Sequence, residues 1–276
     1  VVLLLNGVPA RLRRYVQQFM AARPQVRWDT VDGDGTRPGG ICAVQNECIR
    51  RYPDSIYVKV DEDVFVPTGW AERMLATYER YQDRTDLALI TTLIPNNAYG
   101  LHRLLTTFYP EKLPEFERLF GAPPSAAAKG PTWQRPDIAE WATRLFLDLE
   151  AANEEQRRRL AASDQPRWHE FCQYFSIGCI CYDYAHVQRM GGALPPRDEP
   201  DWCAWFEEKK HICVLDQSMV VLHYSFFVQQ DWLDRSTLLE DIRARNLPGT
   251  SPWYAAGARW WRLARQVPRI LKRRLA

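Results

Sequence analysis

Ser55-Ile56-Tyr57-Val58-Lys59-Val60-Asp61-Glu62-Asp63-Val64-Phe65-Val66-Pro67 is the stretch on which the reading of this chain turns. Its first half, rich in β-branched and aromatic residues, predicts a strand. That strand runs without a break into two carboxylates spaced i, i+2. Side chains two apart in an extended chain share a face, so Asp61 and Asp63 could meet one divalent cation. Mg²⁺ and Mn²⁺ take hard oxygen ligands and are often shared between carboxylates and substrate phosphates. A bare D-x-D is also a common solvated turn. Here an apolar strand before the acids and Val-Phe-Val-Pro after them embed the motif, which favours the metal.

Working outward, strands and helices alternate. Val1–Asn6 has a buried-strand pattern, and Arg11–Ala22 places Leu12, Tyr15, Val16 and Phe19 at helical spacing. Val26–Val31 is a second strand, ended by the Asp32-Gly33-Asp34-Gly35 turn. Pro38, Gly39 and Gly40 precede a helix over Ile41–Arg51, Trp70–Arg80 is helical, and Leu87–Ile94 is another strand. Such alternation predicts an α/β fold with a mostly parallel sheet flanked by helices, and ligands beyond the carboxyl ends of its strands. From about residue 110 to 166 the chain turns Pro-rich and then rich in Ala, Glu and Arg, the mark of a helical insertion. Beyond it come a strand over Phe175–Tyr182, a helix over Tyr184–Met190, the Gly191-Gly192 break, an acidic turn at Asp198–Asp201, a helix over Pro200–Lys210 and a strand over Ile212–His223. No internal repeat or low-complexity segment interrupts this order.

Composition bounds the function. The chain has 276 residues, 46% hydrophobic and 25% charged, ordinary for one large globular domain. The longest aliphatic run, Val1–Leu5, is far short of the roughly 20 residues of a membrane span. No secretory-signal pattern is present. Seven cysteines, an odd number, sit partly in apolar context (Cys179, Cys181, Cys213) and read as reduced thiols, which predicts a cytoplasmic protein. Between Arg259 and Arg274 lie seven Lys/Arg and no acid, so the rest of the chain carries 29 bases against 34 acids. An acidic body with one basic end argues against a nucleic-acid partner. The tail mixes those cations with Trp260, Trp261, Leu263, Val267, Ile270 and Leu271, a composition that suits a helix in an anionic membrane interface. It equally suits a C-terminal helix packing its aromatic face on the body, and Pro268 would divide either helix.

The ordered set of Asn46 on its helix, the strand, and Lys59-Val-Asp61-Glu62-Asp63 resembles the nucleotide-binding half of GT-A (Rossmann-like) glycosyltransferases of family 2. The Lys two residues before the acids is similar to the variant in family 31 galactosyltransferases. The resemblance covers residues 1–105 and 170–232. It implies that Asp63 ligates Mn²⁺ or Mg²⁺ against the diphosphate of a nucleotide sugar, a UDP-sugar foremost. Asp61 would then face the ribose or a metal-bound water, with Lys59 and Glu62 beside the donor. It also implies that Asn6, in the first loop, and Asp32, after the second strand, lie near the nucleotide.

In family 2 a Gly-Gly pair leads to acids at a helix start that supply the catalytic base. Here Gly191-Gly192 leads to Asp198-Glu199-Pro200-Asp201. Pro200 suits the first position of a helix, with Glu199 as its cap. The base falls on Glu199, with Asp198 and Asp201 as competitors, and the plain alternative is a capped helix with surface acids. His223 closes an apolar strand where such enzymes often place a metal-ligating His. Together these imply an inverting glycosyltransferase that acts on a glycan or lipid-linked acceptor in bacterial surface-polysaccharide synthesis, peripheral at the inner face of the membrane. The GT-A domain would be 1–250 (nucleotide half 1–105, insertion 110–166, acceptor half 170–250), with the tail at 251–276. Two rivals stand. Asp32-Gly33-Asp34-Gly35-Thr36 matches the opening of haloacid-dehalogenase-type phosphatases, with Asp32 as nucleophile and Asp34 as acid/base. A non-catalytic GT-A-like binding domain is the other.

Overall fold

The computed structural model describes residues 1–33, 35, 40–127, 131–197, 199–224 and 227–247. In chain order its elements begin with β1 (Val2–Asn6), α1 (Ala10–Ala21), β2 (Asp29–Gly33), α2 (Gly40–Arg51), β3 (Ile56–Val60), β4 (Val64–Phe65), α3 (Trp70–Tyr81) and β5 (Leu87–Leu93). Next come α4 (Ala98–Arg103), a π turn (Leu104–Phe108), a 3-10 turn (Pro110–Lys112), α5 (Leu113–Phe120), α6 (Pro131–Gln134), α7 (Pro136–Leu145) and α8 (Leu149–Ala161). The chain continues with β6 (Trp168–Phe171), β7 (Cys179–Asp183), α9 (Tyr184–Arg189), α10 (Glu199–Lys209), β8 (Ile212–Val220), β9 (Leu222–His223), α11 (Phe227–Leu233) and α12 (Leu238–Asn246). About half of the described residues are helical, and the class is α/β.

The chain divides into two compact units. The first takes Val1–Val60, Ala71–Thr91 and Trp168–Asp216; the second takes Asp61–Trp70, Thr92–Arg167 and the described residues from Gln217 on. In the first unit β1 and β2 pair in parallel from Val2↔Asp29 to Asn6↔Gly33. A five-stranded sheet has the order β3-β7-β5-β8-β6. Residues Leu87–Leu93 of β5 are buried throughout, as expected of a central strand covered on both faces.

The sheet corrects one expectation, for it is mixed and not mostly parallel. β7 runs antiparallel to both β3 and β5, and β6 antiparallel to β8. β3 and β5 do share a direction, as a short crossover through α3 demands. β7, which lies between them, returns only after the helical segments, so no short crossover fixes its direction. The helical insertion over 110–166 is observed as α5 to α8 and the turn before them.

Within the second unit that insertion meets the sheet strand directly. Asn153 on α8 donates through Nδ2 to the Val220 carbonyl at 2.8 Å and accepts from the Val220 amide at 3.0 Å. Gln156, one turn on, donates to the Gln217 carbonyl at 2.8 Å. These amides continue the hydrogen bonding of the β8 edge beyond the last residue that β6 covers, Asp216. A covered edge offers no row of open amides to another chain. Among the described residues no helix is long and apolar enough to cross a membrane.

Candidate active site

In the second unit, the chain leaves the acidic motif through a turn closed by Val64 N–H donating to the Asp61 carbonyl at 3.1 Å. β4 then pairs antiparallel with β9, in the register Val64↔His223 and Phe65↔Leu222. The Tyr224 amide donates to the Asp63 carbonyl at 2.8 Å and extends that ladder by one bond. This short ladder brings the Asp63 side chain onto His223, with Oδ1 3.3 Å from Nε2. The His223 side chain is 8% exposed and that of Asp63 is 32% exposed, so the pair has one buried and one half-buried member. Asn96, fully buried, donates to the His223 carbonyl at 2.7 Å and fixes the strand from behind.

The spacing of the pair would admit a divalent cation. Two ligands about 2.1 Å from a metal and at right angles to each other lie about 3 Å apart, close to the spacing seen. Among the described residues no group of three or more His, Cys, Asp or Glu could hold a metal ion. Asp61 is therefore not gathered with Asp63 and His223 into a three-ligand set. The i, i+2 rule holds for extended backbone, and Glu62 and Asp63 form a turn, which ends the alternation. A cation on two protein ligands completes its shell with water and substrate phosphate, the ordinary habit of Mg²⁺.

The first unit carries the other candidates. At the C-terminal ends of β1 and β2 the Gly7 amide donates to the Gly33 carbonyl at 2.9 Å. Glycines crowd Asn6 here. A Cβ on Gly33 would lie 2.7 Å from Asn6 Oδ1, and one on Gly35 only 2.8 Å from the Gly7 nitrogen. Gly35 also has φ +65°, a left-handed conformation that favours glycine. Glycine at these two positions leaves room for the Asn6 side chain and the Gly7 backbone. Asp32, on the adjoining edge, is exposed and ion-paired with Arg13 of α1. Asp34 lies outside the described residues.

Asn46 on α2 is held at both amide atoms by one residue: Nδ2 donates to the Leu194 carbonyl at 3.1 Å, and Oδ1 accepts from the Leu194 amide at 2.7 Å. It anchors the loop that follows Gly191 and Gly192, both at positive φ. That loop leads to α10, whose first residue is Glu199 itself, not Pro200. Glu199 Oε2 accepts from the Ile177 amide at 3.2 Å. Asp201 is gripped by Arg197, with Nε to Oδ1 at 2.8 Å, and its hydrogen bond to that guanidinium holds the carboxyl below its ordinary value. A carboxylate so stabilised is a weaker proton acceptor. Glu62 is exposed, Lys59 Nζ donates to the Ile177 carbonyl at 2.9 Å, and Asp198 and the tail over 251–276 lie outside the described residues.

Three partners escaped the sequence reading. The Arg197–Asp201 pair has i, i+4 spacing and was legible in principle. Arg13 and Asn96 act across long sequence separations, for which a single sequence carries no signal. Compared with protein-family models, curated proteins and solved structures, the chain gives no significant match to any of them.

Proposed function

We propose that the chain is a metal-dependent, inverting glycosyltransferase of GT-A type, moving a sugar from a nucleotide-diphosphate sugar to a hydroxyl of a glycan or lipid-linked acceptor. The observation that carries this reading is the Asp63–His223 pair, a carboxylate and an imidazole 3.3 Å apart at the end of the acidic motif. Mn²⁺ or Mg²⁺ held there would stabilise negative charge on a departing diphosphate. By the family resemblance, Glu199 would take the acceptor's proton as the acceptor oxygen attacks the anomeric carbon and the bond to the diphosphate breaks. Asp201, neutralised by Arg197, is the poorer base. A UDP-sugar donor, a setting in bacterial surface-polysaccharide synthesis and a place at the inner face of the membrane belong to this proposal through the family resemblance.

The test is nucleotide release from UDP-, GDP-, dTDP- and CMP-sugars with Mn²⁺, Mg²⁺ or EDTA. One donor should be turned over, and EDTA should abolish it. Asp63→Ala should lose more than the 10- to 100-fold, roughly, that removing an outer-sphere partner costs a metal site. Release of phosphate from simple phosphomonoesters, lost in Asp32→Asn, with no turnover of any nucleotide sugar, would overturn the transferase and install a phosphatase.

A further inference from the structure

Two charged side chains of the first unit, Lys59 on β3 and Glu199 at the start of α10, bond to the same backbone residue, Ile177. Residues 172–178, between β6 and β7, have no regular structure, yet Phe175, Ser176 and Ile177 are 1, 2 and 3% exposed. Buried irregular backbone must find its hydrogen-bond partners outside secondary structure. At Ile177 both partners are charged side chains. Its carbonyl accepts from Lys59 Nζ at 2.9 Å, and its amide donates to Glu199 Oε2 at 3.2 Å. Lys59 stands on β3 in register with Ile180 of β7, so its ammonium reaches back along the connector from a fixed strand.

From this we infer that Lys59 is a positioning residue for Glu199, acting through the backbone of Ile177; the inference rests on Glu199 being the base in the reading above. The Ile177 N–H fixes one oxygen of the Glu199 carboxylate and so constrains how the other can be presented. Lys59 in turn fixes where that N–H lies. Both bonds have one ionised partner, the stronger kind. A displacement of about 1 Å at such a group can cost about a hundredfold in rate. The resemblance stated from the sequence would put the Lys59 ammonium on the donor. In the structure it lies on a carbonyl, and that difference makes the two roles separable.

The experiment uses the full chain as wild type, Lys59→Met, Lys59→Arg and Glu199→Gln, with melting curves confirming that each folds. On the donor and metal that the wild type uses, Lys59→Met should lower kcat about 10- to 100-fold with KM for the donor unchanged. Lys59→Arg, which can still donate to a carbonyl, should recover most of kcat. In ¹⁵N-resolved spectra the Ile177 amide should move in both Glu199→Gln and Lys59→Met. A raised donor KM with kcat intact would make Lys59 a donor contact and overturn the inference. So would an Ile177 amide that ignores Lys59→Met. If the wild type turns over no donor, the transferase reading falls, while the Ile177 signal still decides whether Lys59 sets the place of Glu199.

Discussion

His186, within the first unit, illustrates how burial decides the chemistry of one residue. Its Nε2 accepts from Trp202 Nε1 at 2.8 Å, and an indole only donates, so the imidazole is neutral with its proton on Nδ1. Burial pushes its pKa down to about 3, with Arg189 and His211 adding in the same direction. The unfolded chain binds a proton near pH 6.5 that the native state refuses. Stability is therefore full above that pH and declines as pH falls toward 3, by about 1.4 kcal/mol per unit once the unfolded histidine is protonated. Urea midpoints measured from pH 7 to pH 4.5 should fall, and His186→Gln should flatten the decline. An unchanged slope in that variant would assign the acid sensitivity elsewhere. The same scale marks the limits of sequence reading. That Asp63 and His223 come together was legible only through the family resemblance, since a strand-end histidine alone announces no partner. That Asn46 engages the Leu194 backbone, and Asp32 a guanidinium, was not, since an amide or a carboxylate looks the same in sequence whatever it binds.

Asn153 shows what an element can do that its sequence does not announce. On α8 it bonds both the amide and the carbonyl of Val220, and it is fully buried. Asn153→Ala would leave both groups buried without a partner, a cost of about 2–4 kcal/mol. In a chain of this size that is a fall of roughly 3–7 °C in Tm, read by differential scanning calorimetry. A change under 1 °C would mean that water replaces the amide. The insertion was legible as helical from its composition, but its role as an edge cover was not. Among the strands, β3 and β5 announced themselves through β-branched runs. β4, two residues long, is too short for any periodicity, while β9 was read as the end of one long strand with β8. The direction of β7 escaped because it depends on a connection through the whole insertion.

All seven cysteines are reduced thiols, and five of them (Cys42, Cys179, Cys181, Cys203, Cys213) are buried, while Cys48 is half-buried and Cys172 exposed. Burial raises the Cys213 thiol well above its ordinary value, and Cys181 to about 12, so neither presents a thiolate at neutral pH. An aromatic disulfide reagent should label Cys172 first and Cys48 slowly, and reach the other five only on unfolding. Rapid labelling of several thiols in the native protein would contradict the core described above. The reduced cysteines were readable from their odd number and apolar neighbours. The division into interleaved units was not, because each unit gathers stretches far apart in the chain. That interleaving has a consequence in time. β3 ends at Val60, and the strand that pairs with it begins at Cys179. A ribosome adding about 5–20 residues per second needs on the order of ten seconds to make the intervening chain. For that interval Ile56-Tyr57-Val58-Lys59-Val60 is a finished strand without its mate, and whatever attends the nascent chain must shield it until β7 arrives.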